Sequence, residues 1–269
     1  MVSFGGIAST RERAKPPGER DEPSIVAKLT AEFVGTLIVT LGTIVPAAIA
    51  ALAPLLAMGT LLGGAALLKV QPSACPIGYA VLAGSTGIAT TIVIYAFGKV
   101  SGAHTNPITT LAFALRGDCG WGHVVPYAAA QFAGATAAGA LTVAILPLAR
   151  ESLKTSLAFG AWPAFWLEIV LTTILVLVNL STAKQGRFIG PHSAIANGAT
   201  TVFDRWISLP ISGGSMNPAR TLGPAIVAGG TGSWWVFTFA PLAGCMIAVA
   251  LMWVIHGPPS RDEEEKSGE

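Results

Sequence analysis

The 269-residue sequence predicts an all-α membrane protein, with six transmembrane helices and two re-entrant half-helices arranged as an inverted repeat. Three observations predict this. Hydrophobic residues make up 52% of the chain and charged residues 11%, against roughly 25% charged in a typical soluble domain. Six apolar segments are each long enough to cross ~30 Å of hydrocarbon. A pattern S-G-x-x-x-N-P occurs twice, once in each half of the chain. Charge this sparse cannot cover a soluble surface, so a cytosolic enzyme and a nucleic-acid binder are excluded as classes. The continuous apolar runs exclude disorder over most of the length.

The six spans run approximately over 27–49, 77–98, 123–147, 163–183, 191–209 and 234–255. They define one channel domain over 25–257, with halves of approximately 25–150 and 160–257, between disordered cytoplasmic tails at 1–24 and 258–269. The tails mix both signs of charge and read as solvated. No apolar stretch with a small-residue cleavage site follows the N-terminal charges, so no secretory signal is expected. With both tails inside, Lys and Arg number 11 inside and 5 outside. That bias favours cytoplasmic termini in a plasma or inner membrane. All seven tryptophans fall near span ends, as interfacial anchors do. Cys75 and Cys119 fall on opposite sides of the bilayer and Cys245 within a span, so no disulfide is expected, and no metal-ligand spacing is present. The small residues crowding 133–139 permit close helix packing.

Two short segments stand outside the six-span count. Ser101-Gly102-Ala103-His104-Thr105-Asn106-Pro107 and Ser212-Gly213-Gly214-Ser215-Met216-Asn217-Pro218 are each followed by a short apolar stretch, near 107–115 and 218–228. Ten helical residues reach ~15 Å, half a bilayer. Upstream, Glu32-x-x-x-Thr36 in the first span matches Glu168-x-x-x-Thr172 in the fourth. The intervals from Glu to the following Asn are 74 and 49 residues, and a long apolar loop at 50–75 accounts for the difference. Each half has three spans. Three is odd, so the second half enters the membrane upside down.

Asn-Pro suits a half-helix that starts inside a membrane. Pro at the first helical position loses no hydrogen bond, because that N–H has no intrahelical partner anyway. Asn before it caps through its side-chain oxygen, leaving its NH₂ as a donor toward the membrane centre. The Gly-rich backbone ahead of each Asn is tolerable at membrane depth only if buried in protein or lining a water-filled path. There the carbonyls of Gly102, Ala103 and His104, and of Gly213, Gly214 and Ser215, are available as acceptors. Two positive helix ends meeting at one point repel cations and protons.

The paired boxes, Asn106-Pro107-Ile108 and Asn217-Pro218-Ala219, resemble the Asn-Pro-Ala signature of the aquaporin (major intrinsic protein) family over nearly the whole chain, from about 27 to 255. The stretch 212–225, SGGSMNPARTLGPA, is most similar to the nodulin-26-like branch. The resemblance implies a homotetramer whose subunits each carry a passive pore in the lipid bilayer, needing no cofactor. It also implies a selectivity filter at Thr86, Arg205, Gly214 and Arg220. Arg220, whose counterpart in the first half is Thr109, matches the arginine that donates to solutes and repels cations. Thr and Gly widen such a filter, whereas the second Arg either refills the space or deters cations further; the set as a whole points to small neutral solutes (glycerol, urea, neutral metalloid acids) beside water. Two departures stand out. Ile108 replaces Ala in the first box, and Thr221 stands where the glycerol-facilitator branch usually carries Asp.

Several alternatives remain open at this stage. Arg205 either faces the pore, pairs with Asp204, or snorkels to the interface beside Trp206. Glu32 and Glu168 either hold the Gly-rich loops or form a proton relay. His104 is a loop-packing residue or a titrating gate, and His192 a polar span end. A secondary transporter also uses inverted repeats and half-helices, but would need charged groups at the midplane. An integral membrane enzyme finds no supporting motif.

Overall fold

A computed structural model describes residues 22–60, 76–155, 157–183, 191–230 and 232–257. Cys75, Lys69, Lys184, Arg187, most of the 1–24 tail, the 258–269 tail and the part of the 50–75 loop from 61 onward lie outside the described residues.

Among the described residues, eight α-helices follow the anticipated order: α1 Ile25–Thr60, α2 Pro76–Phe97, α3 Pro107–Arg116, α4 Val124–Ile145, α5 Ala161–Thr182, α6 Pro191–Ser208, α7 Pro218–Val227 and α8 Val236–His256. Short 3₁₀ turns at Trp121–His123 and Pro147–Leu153 flank α4. Seven helices start and end within about two residues of their expected limits. The exception is α1, which continues to Thr60 where a loop was expected from residue 50. Residues 47–58 are dominated by Ala and Leu, strong helix formers, and no glycine intervenes between Gly42 and Gly59.

Among the described residues, five helical segments are long and apolar enough to cross a membrane: Ile25–Ile49, Ala80–Phe97, Trp121–Ile145, Ala161–Thr182 and Val236–His256. The fifth expected span, α6, is not among them. Its sequence carries Asp204 and Arg205, both at most 4% exposed. Protein, not lipid, surrounds that polar pair.

Packing follows the repeat. α1 lies on α4 as α5 lies on α8, while α2 and α6 pack on each other. Each half-helix leans on the last long helix of the opposite half, α3 on α8 and α7 on α4. The two equivalent crossings use glycine in the same way. A Cβ on Gly134 of α4 would run into the backbone of Phe33, and one on Gly244 of α8 would lie 2.6 Å from the carbonyl oxygen of Ile169. Phe33 and Ile169 each follow the repeat glutamate directly, so both crossings press the last helix against that carboxylate's turn.

Large apolar side chains cover the outside, among them Val81, Ile88, Ile92, Val125, Val170 and Val254. Six tryptophans are exposed, while Trp235 packs edge-on against Trp162. Inside, Ile108 joins a core with Phe113, Val176, Cys245 and Val249. The larger side chain of the first box is thus absorbed by apolar packing around α3.

Candidate functional site

Both S-G-x-x-x-N-P segments fold into the same backbone shape. Gly102, Ala103 and Thr105 have φ of 90°, 49° and 49°, and Gly213, Gly214 and Met216 have φ of 75°, 61° and 50°. Left-handed backbone at three positions of each loop, three of the six occupied by residues other than glycine (Ala103, Thr105 and Met216), needs outside support. The repeat glutamates supply it. Glu32 accepts from Ser101 Oγ (2.6 Å), His104 N (2.9 Å), Thr105 N (2.7 Å) and Gln131 Nε2 (2.7 Å). Glu168 accepts from Ser212 Oγ (2.6 Å), Ser215 N (2.8 Å) and Met216 N (2.6 Å). The serine that opens each motif is therefore a ligand of the glutamate, and both carboxylates are fully buried. Thr36 and Thr172, which complete the Glu-x-x-x-Thr match, keep buried hydroxyls with no hydrogen-bond partner.

Each loop ends on its Asn. Asn106 is extended (φ −152°, ψ 122°) and its side-chain oxygen accepts from Ile108 N at 3.0 Å. Asn217 (φ −146°, ψ 102°) accepts from Arg220 N at 3.2 Å. The amide nitrogens then cross between the halves. Asn106 Nδ2 donates to Met216 O at 2.9 Å, and Asn217 Nδ2 donates to Thr105 O at 2.8 Å. One N–H of each amide is thereby engaged, and the other is left from the pair that the NH₂ carries.

A cavity of about 50 Å³ runs along this junction, lined by Ala103, His104, Asn106, Ser215, Met216 and Asn217, with Thr86, Thr109 and Asn179 on its helical walls. That is room for about three to five water positions at roughly 10–15 Å³ each. A second cavity, of about 230 Å³, is lined by Thr43, Arg205, Gly213 and Arg220 among others. Arg220 and Ser215 line both. Gly102 and Gly214 line neither, although the Gly214 carbonyl holds both arginines in place.

Arg220 donates through Nη2 to Gly214 O and Ser215 O, and through Nη1 to Thr43 Oγ1 at 3.2 Å. Thr43 in turn lies 3.3 Å from Thr86 Oγ1. Arg205 Nη1 donates to Gly213 O (2.8 Å) and Gly214 O (3.3 Å). It neither bonds Asp204, whose carboxylate oxygens have no hydrogen-bond partner, nor reaches the surface beside Trp206. In the first half, Thr109 accepts from Asn179 Nδ2 at 2.9 Å where Arg220 stands in the second. The His104 ring lies 4.8 Å from that of Phe113 and 5.5 Å from that of Tyr127, with Nδ1 3.1 Å from Thr110 Oγ1.

Three polar residues at the site were not singled out from sequence: Thr43, Gln131 and Asn179. A signal existed for Thr43, because Glu32, Thr36, Thr40 and Thr43 share one helical face. Gln131 had none, since α8 offers no equivalent donor to Glu168.

The model of the family described as "Major intrinsic protein" matches residues 19–252. The chain is 38% identical to a Probable aquaporin NIP7-1 of Arabidopsis thaliana, over 67% of this chain and 66% of that protein. It is 41% identical to Aquaporin NIP1-3 of Oryza sativa subsp. japonica, over 63% of this chain and 59% of that one, and 34% identical to Aquaporin NIP6-1 of Arabidopsis thaliana, over 90% and 73%. The matched stretch thus spans 66% and 59% of the first two relatives' lengths. The X-ray structure of the aquaglyceroporin from Plasmodium falciparum superposes with a TM-score of 0.66 at 20% identity, over 85% of this chain and 96% of that one, which shows a shared fold. A family model spanning all eight helices to within four residues of the end of α8, together with a relative aligned over nine-tenths of the length, places this chain in the major intrinsic protein family.

Proposed function

We propose that the chain forms a passive pore for water and small uncharged solutes, and that it excludes ions and protons. One observation carries this reading: Asn106 and Asn217, braced on each other's loops, line the same narrow cavity that Arg220 joins to the wider one. Water entering from the wide side exchanges its hydrogen bonds for a guanidinium, loop carbonyls and two amide N–H groups in turn. A cation meets the opposite. At 4 Å from a guanidinium it is repelled by about 4 kcal/mol at an effective dielectric of about 20, before the positive ends of α3 and α7 add their share.

In this reading Thr86, Arg205, Gly214 and Arg220 form the selectivity filter, with Gly214 acting through its carbonyl. Residues 25–257 are one channel unit with halves of about 25–150 and 160–257. Four copies assemble in a plasma or inner membrane, termini on the cytoplasmic side. The exposed apolar side chains supply surface for both lipid and neighbouring subunits.

Osmotic swelling of proteoliposomes tests the proposal, comparing water, glycerol, urea and neutral metalloid acids. Flux linear in the gradient and indifferent to pH or sodium gradients is expected. Flux that requires either gradient identifies a secondary transporter and overturns it.

A further inference from the structure

The inverted repeat carries more than the two Asn boxes. Counted from the Asn of each half, Thr86 and Asn197 stand 20 residues before, Arg205 and Ile94 12 before, Gly214 and Ala103 three before, and Arg220 and Thr109 three after. Thr43 and Asn179 each stand 11 residues after their repeat glutamate. Each filter position therefore has a counterpart in the other half, which an inverted repeat places beyond the Asn pair, toward the opposite end of the path. Ile94, Ala103, Thr109, Asn179 and Asn197 all line the narrow cavity, and none of them lines the wide one. The bond that ties Arg220 to the first span is repeated too. Arg220 Nη1 donates to Thr43 Oγ1 at 3.2 Å, and Asn179 Nδ2 donates to Thr109 Oγ1 at 2.9 Å.

The chemistry of the two sets differs. The filter holds two guanidiniums, whereas its counterpart has Ile94 in place of Arg205 and Thr109 in place of Arg220. Without charge, the counterpart sorts solutes by hydrogen bonding and shape. Most polar side chains along the narrow cavity are already committed. Thr86, Thr90 and Thr201 donate back to carbonyls of their own helices. Asn197 gives its Nδ2 to Thr182 and Ser193, and its Oδ1 is sealed inside protein. The Asn179–Thr109 pair is different. Asn179 Oδ1 accepts no hydrogen bond from the described residues and is not sealed off as Asn197 Oδ1 is. Thr109 accepts from Asn179, yet its hydroxyl finds no acceptor among the described residues, unlike that of Thr110, which bonds back to Asn106 O. An acceptor and a donor are thus left together on the lining of the narrow cavity.

We propose that Asn179 and Thr109 form a second selectivity point, and that it favours small neutral amides of the urea class. The edge of such an amide carries an N–H and a C=O together, the complement of Asn179 Oδ1 and the Thr109 hydroxyl, whereas a polyol hydroxyl has a single hydrogen to give. In a cavity of about 50 Å³ a solute leaves most of its water behind, and hydrogen bonds given up there must be replaced. This deepens the pore reading and rests on it.

The test uses the full chain in proteoliposomes, with water, urea and glycerol flux measured on the same preparation. Asn179→Leu keeps the side-chain size and removes the amide. Urea flux is expected to fall about five-fold further than water flux, as loss of roughly one hydrogen bond implies, with glycerol following water. Asn179→Thr, which installs the residue found in the other half, is expected to lie between. Damage to the fold alone lowers all three fluxes together, so the urea-to-water ratio is the readout. An unchanged ratio in Asn179→Leu overturns the second selectivity point, as does a wild-type protein that passes water but not urea. Glycerol falling as far as urea overturns the amide preference. If Asn179→Leu does not fold, Thr109→Val, which removes only the hydroxyl, decides by the same ratio. Absence of both water and urea flux in the wild-type protein overturns the pore reading instead.

Discussion

The side-chain amide of Asn106 donates to the carbonyl of Met216, 110 residues away in the chain, at 2.9 Å. Its mirror image joins Asn217 to Thr105 at 2.8 Å. Each Asn therefore caps its own half-helix and ties down the residue that precedes the other Asn. The two halves of the repeat are latched by the same side chains that line the narrow cavity, so geometry there is fixed by a closed ring of hydrogen bonds.

Asn106→Ala removes a cap and this latch together. Loss of an N-cap costs about 1 kcal/mol, and leaving Met216 O without its donor adds about 1–3 kcal/mol. The apparent melting temperature of purified protein is expected to fall by several degrees. Asn217→Ala should behave alike, because it breaks the mirror bond. Wild-type melting in both variants would show that the latch is not holding the halves.

The two glutamates differ in one respect that makes a comparison decisive. Glu32 has four donors and Glu168 has three, because Gln131 serves only the first. Ser101→Ala leaves Glu32 with three; Ser212→Ala leaves Glu168 with two. A buried carboxylate short of donors is costly, so Ser212→Ala is expected to be the more destabilising by about 1 kcal/mol. Thermal unfolding of the two variants side by side checks the order. Equal losses would mean that Gln131 contributes nothing to Glu32.

Much of this was readable in advance because the repeat states itself twice. Asn106, Asn217, Glu32 and Glu168 are each recognisable only through their partners, since one Asn-Pro or one buried Glu is an ordinary feature. The span at α6 was read as one of six apolar segments, yet with Asp204 and Arg205 it is not apolar enough to count among the membrane-crossing helices by composition. The end of α1 was not readable, because the Ala- and Leu-rich run after residue 50 has the same composition as a helix or as an apolar loop. The cross-bonds of the Asn amides were not readable either. They join a side chain to a backbone carbonyl more than a hundred residues away, and carbonyls leave no trace in residue identity.

Gly244 tests how closely the inverted halves are built. A methyl group there would stand 2.6 Å from Ile169 O and 2.8 Å from Thr172 Cβ, next to the turn that carries Glu168. Neither neighbour is the free end of a flexible chain. Gly244→Ala is expected to cost about 1–3 kcal/mol as overpacking, and Gly134→Ala, meeting Phe33 in the equivalent crossing, to cost a similar amount. Folded yield and thermal unfolding measure both. Tolerance at both positions would show that the helices separate readily and that the crossings do not set the glutamates' positions.

Arg220 is where exclusion of cations is expected to concentrate, because it is the one charged side chain that lines both cavities. Arg220→Val removes its positive charge, frees Ser215 O and Thr43 Oγ1 to accept from a hydrated cation, and leaves Gly214 O to Arg205 alone. Repulsion of about 4 kcal/mol corresponds to roughly a thousand-fold in rate, so even partial relief should be visible. Arg205 remains nearby and tempers the effect. The expected outcome is a measurable sodium or proton leak in proteoliposomes, with osmotic water flux retained. An ion-tight variant with unchanged solute selectivity would move the barrier away from Arg220 and onto the paired ends of α3 and α7.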